Sequence, residues 1–217
     1  MTARIAVLAS GRGSNLQAIL RAIAAGRLDA DVVGVFSDRP NAPALRQVPA
    51  GRRWSARPTA FPDRAAYESA LADTVADARP DWVVCAGYMR ILGDAFIARF
   101  RGRLLNIHPS LLPKYRGLHT HARALEAGDA EHGASLHFVV PELDAGAVIA
   151  QVRVPVQSGD TPETLAARLL PREHALLTAT LALATTGALS EQGDMAYCHG
   201  QPLLKPLSLD SADCLLP

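Results

Sequence analysis

Cysteine is scarce in this sequence. Cys85, Cys198 and Cys214 are the only three among 217 residues. None belongs to a CxxC pair, and an odd count gives no disulfide framework. Cys85 lies inside an apolar run and reads as a small buried residue. Such a chain suits a reducing compartment, so a cytoplasmic location is expected. An excess of one charge is also lacking, with 22 Lys and Arg against 21 Asp and Glu. That balance excludes a surface built to coat nucleic acid, which needs a basic excess. No apolar run reaches the roughly 20 residues of a membrane span. No basic segment followed by a cleavable apolar one opens the chain. Repeats, low-complexity tracts and an obvious linker are missing too.

What is present is core-forming. Hydrophobic residues make up 49% and charged residues 20%, enough for a sizeable core and too apolar for global disorder. The length fits one large α/β domain or one and a half, with a small molecule in a local pocket as the expected partner.

The first half alternates strand-like and helix-like segments. Ile5 to Ala9 is a short apolar run. Asn15 to Ala25 has helical spacing, with Leu16, Ile19, Leu20 and Ile23 on one face and Gly26 as the stop. Val32 to Phe36 is a β-branched run, and a weaker helix covers Ala42 to Ala50. Arg64 to Ala78 reads as a helix ended by Pro80. Trp82 to Ala86 and Leu104 to Ile107 are further strands, separated by a helix over Asp94 to Phe100. This rhythm indicates βαβ units and a parallel sheet buried on both faces. After His119 to Ala127, a helix, come strands at Ala134 to Val140 and Val148 to Val156, joined by a loop containing Asp144. Thr161 then caps a long helix with Pro162 at its first position, and Pro171 is expected to kink it. The fold class is α/β: a Rossmann-like, mostly parallel sheet flanked by helices, with an antiparallel strand pair added in the C-terminal half. The tail from about Ser190 is expected to form a short hairpin with a loose end.

Ligands of such sheets bind at the carboxyl ends of the strands. The segments at those ends are Ser10 to Asn15, Gly87 to Leu92 and Asn106 to Gly117. The first, Ser-Gly-Arg-Gly-Ser-Asn, enters a helix, where free amides and the helix dipole favour phosphate. It is neither a dinucleotide fingerprint, since Leu16 stands where glycine would be needed, nor a Walker loop. An ordinary strand-to-helix turn is the competing reading. In the third segment, Asn106 and His108 are two apart and project to the same side of a strand that Pro109 stops. An amide and an imidazole there can stabilise an oxyanion and move a proton, though a structural histidine is the bland alternative. Asp144 is the natural third member, because a carboxylate beside an imidazole stabilises its charged form. A turn-forming aspartate is equally unremarkable in that loop. His119 and His121 form an HxH pair, but within a helix that spacing points the rings apart, so no metal site is assigned. His132, His137, His174 and His199 read as structural or surface residues. No GxSxG elbow surrounds Ser14 or Ser110, which argues against a serine hydrolase.

Four motifs, taken together, resemble a known family. Asn106 to Gly117 reads NIHPSLLPKYRG, Gly11 to Gln17 reads GRGSNLQ, Gly87 to Leu92 reads GYMRIL, and Gly133 to Gly146 reads GASLHFVVPELDAG. In this order and spacing they resemble the phosphoribosylglycinamide formyltransferases, folate-dependent enzymes of purine synthesis. The resemblance runs from about residue 4 to about residue 185. It implies formyl transfer from 10-formyltetrahydrofolate, as co-substrate, to the amine of glycinamide ribonucleotide, with no metal. By carry-over, Asn106, His108 and Asp144 are catalytic. Gly13, Ser14 and Asn15 hold the ribonucleotide phosphate, and Glu173 contacts the ribose. Met89, Arg90, Ile91 and Leu92, with Asn106, receive the folate, and Arg64 lies near its glutamate tail. Residues 1–190 form the formyltransferase domain and 191–217 the tail, in a monomer or homodimer without nucleic-acid or membrane partners.

Tyr88 stands where Phe is common in the family, Arg116 where Pro is, Pro141 where an acid is, and Ala145 where Gly is frequent. Leu170, followed by Pro171, occupies a position often held by Gln at the phosphate end. Two other readings compete. A formyltetrahydrofolate hydrolase uses water in place of the amine and usually carries an N-terminal regulatory domain, whereas here the motifs begin at once. A non-enzymatic nucleotide-binding module explains the glycine loop but not Asn106, His108 and Asp144 together. A methionyl-tRNA formyltransferase requires more length and a basic surface.

Overall fold

Eight strands and helices of the N-terminal half are set by alternating buried runs and caps. The structure is a computed structural model and describes residues 2–217. The chain divides within a strand into two compact units, Met1–Asn106 and Ile107–Pro217.

The first unit contains β1 (Ala3–Leu8), α1 (Ser14–Ala24), β2 (Ala30–Ser37), β3 (Arg53–Ser55), α2 (Arg64–Asp77), β4 (Trp82–Cys85), α3 (Asp94–Arg99) and most of β5 (Leu104–His108). Its strands run in the order β3-β2-β1-β4-β5, and every pair is parallel. Ile5, Val7, Leu8, Val83 and Val84 are fully buried, as expected where helices cover both faces of a parallel sheet. The chain leaves β1 for β2 on one side and returns to β4 on the other. The carboxyl ends of β1 and β4 therefore flank a switch point, where open α/β sheets bind ligands.

The predicted face of α1 is partly right: Leu16 and Ile19 are buried, Leu20 and Ile23 half-buried, and Asn15 and Ala22 complete the inner face. Asp63 caps α2, its carboxylate accepting from Ala66 N at 2.8 Å, a contact worth about 1 kcal/mol in typical helices. The expected helix over Ala42 to Ala50 is instead two short 3-10 turns, Pro43–Gln47 and Ala50–Arg52. Pro49 removes a backbone donor there and separates the two turns.

The second unit contains α4 (Thr120–Glu126), β6 (Glu131–Phe138), β7 (Val148–Pro155), α5 (Pro162–Thr185), β8 (Leu189–Gln192), β9 (Met195–Cys198), β10 (Gln201–Pro202), β11 (Leu207–Leu209) and β12 (Leu215–Leu216). β6 and β7 form the antiparallel pair, with Ala134 opposite Val152. α5 starts from a capping box between Thr161 and Thr164 and buries Leu165, Leu169, Leu176 and Leu177. Helical structure continues through Pro171, whose missing N–H leaves one bond of the ladder unmade. β8, β9 and β10 make a separate three-stranded antiparallel sheet.

The chain end is not loose. β11 adds parallel to β7, and β12 folds back on β11. Arg172 of α5 donates to Asp213 and to the Asp210 carbonyl, which fastens that hairpin. Leu207 and Leu209 are buried, so the tail covers a strand edge that would otherwise present open backbone groups.

Candidate active site

His108 ends β5 and is buried, and the Asp144 side chain is only 9% exposed. The His108 Nδ1 lies 3.4 Å from Asp144 Oδ2, and its Nε2 lies 3.0 Å from the Tyr115 carbonyl oxygen. Both ring nitrogens therefore face oxygen acceptors, and a ring with hydrogens on both nitrogens satisfies them together. Asn106 precedes His108 by two residues on the same strand, half-buried, so their side chains share a face.

The carboxylate of Asp144 is fixed by its loop. Asp144 has φ 47°, a left-handed conformation that Asp tolerates better than most residues. The backbone N–H of Gly117 donates to Oδ2 at 2.8 Å. Gly146 packs so tightly that a Cβ there would sit 1.9 Å from the Phe138 carbonyl oxygen, and Phe138 N donates to the Ala147 carbonyl at 3.0 Å. Only glycine lets the loop lie this close to the end of β6. Arg116 and Glu142 pair at 2.5 Å and tie the two loops that meet at Asp144.

A second imidazole reaches the same carboxylate. His137 Nε2 is 3.7 Å from Asp144 Oδ1, while its Nδ1 donates to the Phe138 carbonyl at 2.7 Å. Burial pushes the His137 imidazole down to about 4, against the opposing pull of the Phe138 carbonyl and Asp144. The sequence reading placed His137 among structural or surface histidines and missed this contact. The signal was available: along β6, Gly133, Ser135 and His137 alternate with Ala134, Leu136 and Phe138, and all six are buried. Small or polar residues at period two on a buried strand mark a face turned toward polar business.

Ser135 belongs to that face. Its hydroxyl donates to the Ser110 carbonyl at 2.7 Å and accepts from Leu112 N at 3.0 Å, while Gln151 Nε2 donates to the Leu112 carbonyl at 2.9 Å. Asp129 accepts from the Tyr115 hydroxyl at 2.8 Å and from Lys114 at 2.9 Å. These bonds hold the segment that brings the Tyr115 carbonyl onto His108. His121 and His132 stand 2.9 Å apart, and burial lowers both, His132 to about 4. His119 is exposed at the start of α4, so the HxH pair is split. No group of three or more metal-ligating side chains occurs among the described residues.

In the first unit, Gly13 opens α1 at φ 79°, and a Cβ there would meet Ala44 Cβ at 2.7 Å. The loop is braced from outside: Gln47 Nε2 donates to the Arg12 and Gly13 carbonyls at 3.0 and 3.1 Å. Ser14 and Asn15 begin the helix, Asn15 buried. The 87–92 segment leaves β4 without regular structure. Met89 and Ile91 are 60% and 59% exposed, Arg90 is exposed, and Leu92 is buried. Arg64 donates to Glu68 at 2.6 Å and to the Ile91 carbonyl at 2.9 Å. The extra hydroxyl of Tyr88 meets the Tyr67 hydroxyl at 2.9 Å, and burial raises its phenol far above the ordinary value. Glu173 is half-buried on α5.

Comparison with known proteins agrees with the motifs. The family model described as formyl transferase matches residues 3–181. Phosphoribosylglycinamide formyltransferase of Escherichia coli (strain K12) is 46% identical over 201 residues, covering 92% of this chain and 95% of that one. The structure of the Coxiella burnetii phosphoribosylglycinamide formyltransferase in complex with CHES matches with a TM-score of 0.88 at 42% identity, covering 93% of this chain and 96% of that one. A formyltetrahydrofolate deformylase from Pseudomonas syringae shares the fold, with a TM-score of 0.81 at 24% identity over 91% of this chain and 66% of that one. The chain belongs to the formyl transferase family, among the phosphoribosylglycinamide formyltransferases.

Proposed function

We propose that this chain transfers the formyl group of 10-formyltetrahydrofolate to the amine of glycinamide ribonucleotide, giving formylglycinamide ribonucleotide and tetrahydrofolate. The observation that carries the reading is the His108 ring held between Asp144 and the Tyr115 carbonyl at the end of β5. The substrate amine attacks the formyl carbon, and negative charge develops on the formyl oxygen. Protonated His108 and the Asn106 amide donate to that oxyanion. Asp144 stabilises the imidazolium and helps to carry the proton lost by the amine. The bond from carbon to N10 then breaks, N10 takes a proton, and tetrahydrofolate leaves. The reaction as written uses no metal.

Gly13, Ser14 and Asn15 are assigned to the ribonucleotide phosphate, supported by their place at the start of α1, where the helix dipole favours an anion. Glu173 is assigned to the ribose. The exposed Met89 and Ile91, with Arg90 and Leu92, are assigned to the flat pterin, and Arg64 to the acidic tail of the folate. Among the described residues no helix is long and apolar enough to cross a membrane. We place the enzyme in the cytoplasm, as a monomer or homodimer acting on small molecules.

Tetrahydrofolate release, followed with and without glycinamide ribonucleotide, tests the reading. Release that requires the amine is expected. Release without it identifies a hydrolase, and binding without release in either case identifies a binding module.

A further inference from the structure

The 87–92 segment poses a physical problem that two unassigned residues answer. It has no regular backbone pairing, yet it presents Met89 and Ile91 to solvent at 60% and 59% exposure. A free segment of this composition would turn those side chains inward. Its backbone is pinned instead. Ser10 N donates to the Gly87 carbonyl at 3.0 Å, and Met89 N donates to Ser10 Oγ at 2.9 Å. One residue thus holds the segment at two points, two residues apart.

The Ser10 hydroxyl has a single hydrogen, and that hydrogen goes to Asp38 Oδ1 at 2.5 Å. Once it points there, the hydroxyl lone pairs are left to face Met89 N–H. Ser10 is 2% exposed and the Asp38 side chain 7%. Arg39 approaches the other carboxylate oxygen only at 4.0 Å, whereas the serine hydroxyl is in direct hydrogen-bond contact with this carboxylate. Burying a carboxylate to orient one hydroxyl is costly, and a strand end needs no such device for folding alone.

We propose that Ser10 and Asp38 are positioning residues for the folate: Asp38 orients the Ser10 hydroxyl, which fixes the Met89 backbone and so preforms the apolar platform of Met89 and Ile91. The inference rests on the assignment of that platform to the pterin. Preformed platforms bind more tightly because less ordering remains to be done on binding. The glycine loop, although it follows Ser10 directly, has its own brace in Gln47. The two devices therefore act on different substrates.

The test compares Ser10→Ala, Asp38→Asn and Gln47→Ala. Ser10→Ala is expected to raise KM for 10-formyltetrahydrofolate and Kd for tetrahydrofolate about tenfold, the size of one lost charge-assisted hydrogen bond. Its kcat and its KM for glycinamide ribonucleotide stay within about twofold. Asp38→Asn retains an acceptor oxygen and is expected to raise the folate KM less, about threefold. Gln47→Ala is expected to raise the ribonucleotide KM and leave the folate KM unchanged. Hydrogen exchange at the Met89 amide, read without any ligand, should quicken in Ser10→Ala. Faster exchange with an unchanged folate KM overturns the proposal, as does an equal rise in both KM values. If Ser10→Ala fails to fold, an Asp38→Asn variant with wild-type folate KM and unaltered Met89 exchange overturns it instead. Wild-type protein that binds no tetrahydrofolate sinks the assignment of the platform, and the Met89 exchange then still reports whether Ser10 pins the segment.

Discussion

Asp144 and His108 meet at 3.4 Å in a buried setting, with the Gly117 N–H on the same carboxylate oxygen at 2.8 Å. The hydrogen bond from Gly117 fixes the carboxylate independently of the imidazole. The pair is therefore arranged before substrate arrives, which is the condition for electrostatic stabilisation without reorganisation.

Asp144→Asn keeps the shape and the acceptor for Gly117 while removing the charge. It is expected to lower kcat by on the order of 100-fold with folate Kd within about threefold, and to move the alkaline limb of the kcat/KM profile, where the protonated imidazole is lost, to lower pH. A pH–rate profile identical to wild type would show that the carboxylate does not act on the imidazole.

The buried histidines make stability depend on pH. His132 and His137 are both held down to about 4 by burial, below the ordinary 6.5 that they regain on unfolding. Between those values the unfolded chain binds more protons than the folded one. The stability is thus fully present above about pH 6.5 and is lost as pH falls toward 4. Each group contributes on the order of 1–2 kcal/mol to the loss by pH 5. Thermal melts at pH 7 and pH 5 should differ less for His132→Gln than for wild type. An equal difference in both proteins would mean that His132 already carries its proton in the fold.

Gly13→Ala tests the glycine loop. An added Cβ meets Ala44 Cβ at 2.7 Å, and the left-handed backbone adds a cost of about 1–2 kcal/mol. The variant is expected to lose stability by that order and to raise KM for glycinamide ribonucleotide at least tenfold, with folate Kd little changed. Steady-state kinetics with each substrate varied checks this, and an unaltered ribonucleotide KM would remove the loop from the phosphate site.

Much of the fold was legible because strands buried on both faces leave continuous apolar runs. Trp82 to Cys85 and Leu104 to Ile107 could hardly be anything else, and Thr161-Pro162 announces α5 through cap chemistry. The 3-10 turns after Pro43 were misread because apolar residues there are buried by neighbours rather than by a helical face. The pairing of Leu207–Leu209 with β7 is a long-range choice that leaves no local mark in a three-residue strand. At the site, Asn106 and His108 were visible as a strand-end pair, whereas Asp144 needed the family motifs to be singled out. His137 taken alone looks like any buried histidine of a strand, although the alternation of Gly133, Ser135 and His137 distinguishes it. Ser10 reads in the sequence only as the entry to the glycine loop, since its partners Asp38 and Met89 are 28 and 79 residues away.

The most direct test of the account is His108→Ala, measured for turnover and for tetrahydrofolate binding in the same preparation. kcat is expected to fall by at least 100-fold while folate Kd stays within about threefold, because the lost interaction belongs to the transition state. A variant that keeps more than about a tenth of wild-type turnover would contradict the assignment of His108 as the group that protonates the oxyanion.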